Sequence, residues 1–184
     1  MQQPYFLNEA GNKKMKDGIM LWYAGKNPFI KSISGTDVTV HSTYNGEPVT
    51  QNYPSLNNAA IALQADPNTE VYIEGTITNI NNQSSETRIV CHSTALTNLS
   101  YYNCPALTSL DLSANTALTS LNCDHCNYIE TIKYVAQNTG VATKIAGLIS
   151  EAFATDGNVY CKGTYSSTVQ TAATSKGWTY HTLE

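Results

Sequence analysis

Between residues 86 and 137 the apolar positions return every ten or eleven residues. An anchoring residue falls at Ile89, Leu99, Leu110, Leu121 and Ile132. Three residues before four of these lie Leu96, Leu107, Leu118 and Ile129, and two residues after the five lie Cys91, Tyr101, Leu112, Cys123 and Tyr134. Five residues after each anchor comes Thr94, Cys104, Asn115, Cys126 or Gln137. The pattern reads L-x-x-L-x-L-x-x-N with substitutions. Apolar residues two apart share one face of a short strand. The earlier one covers a corner, and an Asn at the far corner can satisfy backbone groups that leave the ladder. One such unit cannot bury its own apolar edge, so neighbouring units must stack. Eleven residues are half of a 22-residue coil. Ile89, Leu110 and Ile132 are therefore expected on one wall, with Leu99 and Leu121 on the other. The residues between them face outward: Arg88, Val90, Ser109, Asp111, Thr131 and Lys133 on the first wall, and Asn98, Ser100, Ser120 and Asn122 on the second.

The flanks read differently. SLNNAAIALQAD (55–66) is expected as a helix stopped by Pro67, followed by a strand over TEVYIEGTITNI. IMLWYAG, DVTVHSTY and the Asn45-Gly46 pair suggest a small antiparallel element near the N-terminus. After the repeats, Asn138 or Thr139 caps a helix with apolar Val141, Ile145, Leu148 and Ile149. NVYCKG is a strand, SSTVQTAATSKG a helix capped by Ser166 or Ser167 and ended by Gly177, and WTYHTL a last strand that extends the first wall. Four regions result: a β-rich element over 1–54, a capping helix and strand over 55–85, the repeats over 86–137, and an αβαβ cap over 138–184.

Composition sharpens this. Thr, Asn and Ser make up roughly 30% of the 184 residues, against a charged fraction of only 13%, which favours strands with many tight turns. A net charge of -4 argues against a nucleic-acid partner, which needs clustered Lys and Arg. No apolar run approaches the length of a membrane span. The first twenty residues hold no signal-peptide core.

The run PALTSLDLSANTALTSLNC resembles the leucine-rich-repeat family, in the short bacterial form found in internalin-like and gut-bacterial surface proteins. The likeness is strongest over 96–126. It departs from the family in Pro105, in the missing leucine before Ile89, and in the cysteines that replace asparagine. The resemblance implies an α/β fold: a short right-handed leucine-rich-repeat β-solenoid of about two and a half coils with αβ capping units. It also implies a non-catalytic module that binds protein or glycan at a bacterial surface, extracellular, monomeric and without cofactor. The candidate binding residues are Arg88, Ser109, Asp111, Thr131 and Lys133.

One motif points elsewhere. Cys123-Asp124-His125-Cys126 has the spacing of half a zinc site or a redox pair. No second C-x-x-C or His pair completes it, and the repeat explains both thiols as inward and corner positions. Cys104 and Cys126 share a corner one coil apart and are expected as a ladder of stacked thiols rather than a disulfide. A metal- or thiol-dependent enzyme using Cys123, His125 and Cys126 stays open as an alternative, as does a phage or intracellular interaction protein.

Overall fold

The computed structural model describes residues 5–7, 13–15, 17–24, 28–82 and 86–183. In chain order the elements are β1 (Tyr5–Leu7), β2 (Lys13–Met15), β3 (Ile19–Tyr23), β4 (Phe29–Tyr44), β5 (Glu47–Ala62), β6 (Glu70–Asn82), β7 (Glu86–Cys91) and β8 (Asn98–Tyr101). They continue with β9 (Ser109–Leu112), β10 (Ser120–Asn122), β11 (Thr131–Val135), α1 (Thr139–Glu151), β12 (Asn158–Lys162), α2 (Ser166–Lys176) and β13 (Thr179–Thr182). β1 and β2 pair with each other, and the other eleven strands form one mixed sheet.

This corrects the expected fold class. The chain is mostly β, with a mixed eleven-stranded sheet, and not an α/β right-handed repeat solenoid with αβ capping units. The segment read as an N-terminal capping helix is strand: β5 runs through Ala62, and Ile61, Leu63 and Ala65 are buried while Ala62 and Gln64 are exposed. That alternation has period two, and it won because these residues close a sheet rather than cover one.

The repeat residues lie in two parallel ladders. In one, Ile89 of β7 pairs with Leu110 of β9, and Leu110 with Ile132 of β11. In the other, Ile80 of β6 pairs with Leu99 of β8, and Leu99 with Leu121 of β10. β12 and β13 extend the first ladder in parallel, through Ile132–Val159 and Val159–Tyr180. Antiparallel strands join the two ladders. The start of β6 pairs with β3, which itself pairs antiparallel with β7, while the end of β6 pairs in parallel with β8. β4 pairs along the opposite edge of β6 from Tyr72 to Asn81, with two register shifts. β6 therefore passes from one ladder to the other between Ile73 and Asn79, a stretch that includes Gly75, at φ +120°. A Cβ there would sit 2.5 Å from the Asp37 carbonyl oxygen, so a side chain is excluded by close backbone approach.

The β4–β5 hairpin turns at Asn45-Gly46, both with positive φ as a tight two-residue turn requires. It is strongly curled. The Gln51 amide donates to the Ala62 carbonyl at 3.0 Å and accepts from the Gln64 N–H at 3.1 Å. Eleven residues of straight strand would separate Gln51 and Ala62 by roughly 35 Å. Register shifts near Ile33 and Gly35, and left-handed backbone at Asp37 and Asn58, supply the bending. Both ends of β4 then meet one segment: the Leu63 N–H donates to Pro28 O at 2.9 Å and the Asp66 N–H to Thr43 O at 2.7 Å. Asp66 also holds the turn, since its two carboxylate oxygens accept from the Asn45 and Gly46 N–H groups at 2.9 Å each. Asp66→Ala is expected to cost about 1–2 kcal/mol, the worth of charge-assisted bonds at an exposed site. Urea unfolding would measure it, and amide exchange at Asn45 and Gly46 should accelerate with it.

The core runs continuously from the hairpin (Ile33, Val40, Ile61) through both ladders to α1 (Ile145, Ile149) and α2 (Val169, Ala173). Tyr101 and Tyr134 face inward, as the repeat spacing predicts, at 0% and 1% exposure. Asn138 caps α1, its side chain accepting from the Val141 N–H at 3.1 Å. α2 begins after Tyr165 with no side-chain cap, so neither Ser166 nor Ser167 takes that role, and it ends at left-handed Gly177.

Candidate functional site

The alternation of each strand decides what the first ladder shows to solvent. With Ile89, Leu110, Ile132, Val159, Leu112, Tyr134 and Cys161 pointing inward, the residues between them point out. Pairing aligns these in two rows. One is Trp22–Arg88–Ser109–Thr131–Asn158–Thr179, and the other Val90–Asp111–Lys133–Tyr160–His181. All five predicted residues, Arg88, Ser109, Asp111, Thr131 and Lys133, thus lie on one face. Arg88, Ser109 and Thr131 stand side by side in the first row, with Asp111 and Lys133 adjacent in the second.

Side chains within the rows engage their neighbours across strands. The Arg88 guanidinium lies 4.6 Å from the centre of the Trp22 ring, a cation–π contact. Lys133 reaches in both directions. Its ammonium is 3.8 Å from the Asp111 carboxylate and 5.6 Å from the centre of the Tyr160 ring. Tyr160 stacks on His181 with centres 4.4 Å apart and planes 11° apart. His181 Nε2 is 3.0 Å from Asn158 Oδ1, which links the rows. Asp111 is turned down onto its own turn, accepting from the Ser113 N–H at 3.0 Å and hydroxyl at 2.6 Å. Its side chain is 15% exposed against 43% for Lys133. The cation, not the carboxylate, is what solvent meets.

The second row continues beyond Val90 to Met20 and Tyr72, but there the face is closed: Met20, Tyr72 and Val90 are all buried. The Tyr72 hydroxyl donates to the Asp17 carbonyl at 3.1 Å. Beyond Tyr72, His41 stacks on its ring and meets Glu74 at 2.9 Å. The open part of the face therefore spans β7 to β13, with Trp22 at its border.

Sequence reasoning missed Trp22, Asn158, Tyr160 and His181. The last three carried a signal, because NVYCKG and WTYHTL were expected to extend the first wall, and their outward positions follow from that. Trp22 carried none: β3 enters antiparallel from a remote part of the chain.

Cys123, His125 and Cys126 do not converge. Cys123 and Cys126 are buried in the core, and the Cys126 thiol donates to the Tyr101 carbonyl at 2.9 Å. His125 has left-handed backbone, is exposed, and meets Tyr102 edge-on with centres 5.2 Å apart. Among the described residues no group of three His, Cys, Asp or Glu is placed to hold a metal ion. All five cysteines are buried and none is in a disulfide, Cys104 and Cys126 included. Burial pushes the Cys91 thiol up to about 12, over smaller opposing hydrogen bonds from the Ser93 backbone and the Asn115 amide. Cys126 is drawn down by its hydrogen bond with Cys104, but the Cys123 bond and burial outweigh this and leave it at about 12. Burial raises Cys161 to about 11. Such thiols are weak nucleophiles at neutral pH. Asn115 does at its corner what the spacing predicts, donating to the Ser93 carbonyl at 2.8 Å.

No helix among the described residues is long and apolar enough to cross a membrane. Set against family models, curated proteins and solved structures, the chain matches none, and nothing there identifies it as a leucine-rich-repeat protein.

Proposed function

We propose that this chain is a non-catalytic binding module that engages an extended protein or glycan through the outer face of β7, β9, β11, β12 and β13. The observation that carries the reading is the register-locked row Asp111–Lys133–Tyr160–His181, in which polar and aromatic side chains brace one another across four strands. Side chains already held in place lose less entropy when a partner arrives. An open strand face offers many weak contacts along its length, which suits a long ligand better than a small one. The non-catalytic character is supported by the thiols: the strongly shifted cysteines face the core and are raised by burial, the reverse of an activated nucleophile. The cell-surface setting rests only on the likeness of the 96–126 motif to bacterial surface proteins.

A binding screen against immobilised glycans and matrix proteins tests this. The pair Lys133→Ala with Tyr160→Ala should weaken any hit by about tenfold or more, the scale of an interface hot spot. Asn122→Ala, on the other ladder, should change nothing. A hit indifferent to the first pair would overturn the assignment of this face.

A further inference from the structure

We infer that the outer face takes a carboxylated polysaccharide, a polyuronate laid across the strands. This rests on the proposed binding role of that face. Charge comes first. The chain is acidic overall, at -4, yet the ten outward positions of the two rows from β7 to β13 hold Arg88 and Lys133 against the single carboxylate of Asp111. That carboxylate is largely covered and committed to Ser113 and Lys133. The nearest further acid in the rows is Glu70, beyond Trp22 and two strands from Arg88. An anionic ligand is therefore attracted, and a cationic one finds little.

Shape and chemistry then choose among anions. The trait that favours a sugar polymer over an acidic peptide is where the donors sit. A peptide adding to a sheet uses the free backbone of an edge strand; here β13 is that edge, whereas Arg88 and Lys133 stand on β7 and β11, whose backbones are paired on both sides. Strands repeat every 4.7–4.9 Å or so, close to the length of one pyranose ring in an extended chain. A polysaccharide crossing the strands thus brings one ring to each. The first row meets it with hydroxyls and an amide at Ser109, Thr131, Asn158 and Thr179, which suit sugar hydroxyls. Arg88, stacked on Trp22, keeps its planar fork for a carboxylate, and Lys133 offers a second cation two strands on. Tyr160 and His181 already spend one face of each ring on the other, and Lys133 lies near the Tyr160 ring, so recognition here is by hydrogen bonding and charge more than by sugar stacking.

The experiment is calorimetric titration of the full chain with polygalacturonate, with the same polymer after reduction of its carboxyl groups, and with polyglutamate. Binding to polygalacturonate should fall at least about tenfold on carboxyl reduction, and fall as far in Arg88→Gln or Lys133→Gln, each checked for an unchanged melting temperature. Polyglutamate should bind more weakly, and its binding should vanish first as salt rises. Equal binding to the reduced polymer would overturn the carboxylate while leaving the face as a glycan-binding surface. Equal or tighter binding to polyglutamate would overturn the sugar. No binding to any of the three would overturn the inference. The broader reading would fail separately, if no hit in the glycan and matrix-protein screen responded to the Lys133–Tyr160 pair.

Discussion

Leu110→Asp is expected to abolish cooperative folding, while Asp111→Ala, one residue away, leaves it intact. Leu110 is fully buried between Ile89 and Ile132 in the first ladder. Its burial stabilises by about 1.5–3 kcal/mol, and an unpaired carboxylate in its place costs several kcal/mol more. Together these approach the whole stability of an ordinary domain, about 5–15 kcal/mol. Asp111 points outward. Its loss removes two local bonds to Ser113 and a long contact to Lys133, together worth about 1 kcal/mol. Thermal unfolding by circular dichroism should show no transition for the first variant and a shift of a few degrees, roughly, for the second. Similar behaviour of the two would mean that the inward and outward assignment of this strand is wrong.

A second large effect is alkaline lability. Cys91 is held at about 12 in the fold by burial, while an unfolded thiol ionises near 9 or just below. Above that point the unfolded chain binds fewer protons than the folded one, so stability falls as pH rises. The contribution is fully present below about pH 9 and is lost by about pH 12. Each group of this kind removes about 1.4 kcal/mol per pH unit within its window, so Cys91 alone removes about 4 kcal/mol. Cys126 and Cys161 act in the same direction, and so do Tyr72 and Tyr134, each raised by burial to about 12. Tyr23 and Tyr101 are driven well above the ordinary tyrosine value by burial, with the Glu86 charge adding to it. Urea midpoints should therefore be flat from pH 7 to about 9 and fall steeply above. Cys91→Ala should flatten part of that slope. A flat profile to pH 11 would contradict the burial of these groups.

The legible parts of the fold are those where a local period meets a local rule. The ten- and eleven-residue spacing of Ile89, Leu99, Leu110, Leu121 and Ile132 is enough to say which of them pair, because strand side chains alternate and the chain must return to cover its own apolar edge. Asn45-Gly46 announces its turn by the backbone it allows. What was not legible depends on distant chain. The sixteen-residue strands β4 and β5 are bent by shifts at Ile33, Asp37 and Asn58, and their closure on Leu63–Asp66 has no local signature. The segment 55–66 offers Leu56, Ala59, Ile61, Leu63 and Ala65, which fit a helix stripe and a strand face almost equally. Tertiary pairing decided for the strand. At the candidate site, Arg88, Ser109, Asp111, Thr131 and Lys133 follow from the repeat alone. Trp22, which braces Arg88, arrives from β3 and could not be inferred without the antiparallel pairing.

The register that builds the outer face is open to direct measurement by interstrand nuclear Overhauser contacts in labelled protein. Backbone contacts linking Leu110 to both Ile89 and Ile132, and Lys133 to Tyr160, are the predicted result. Contacts pairing Leu110 with Leu99 or Leu121 instead would make successive segments neighbours in one hairpin ladder, scatter Arg88, Lys133 and Tyr160, and leave no common face to bind anything.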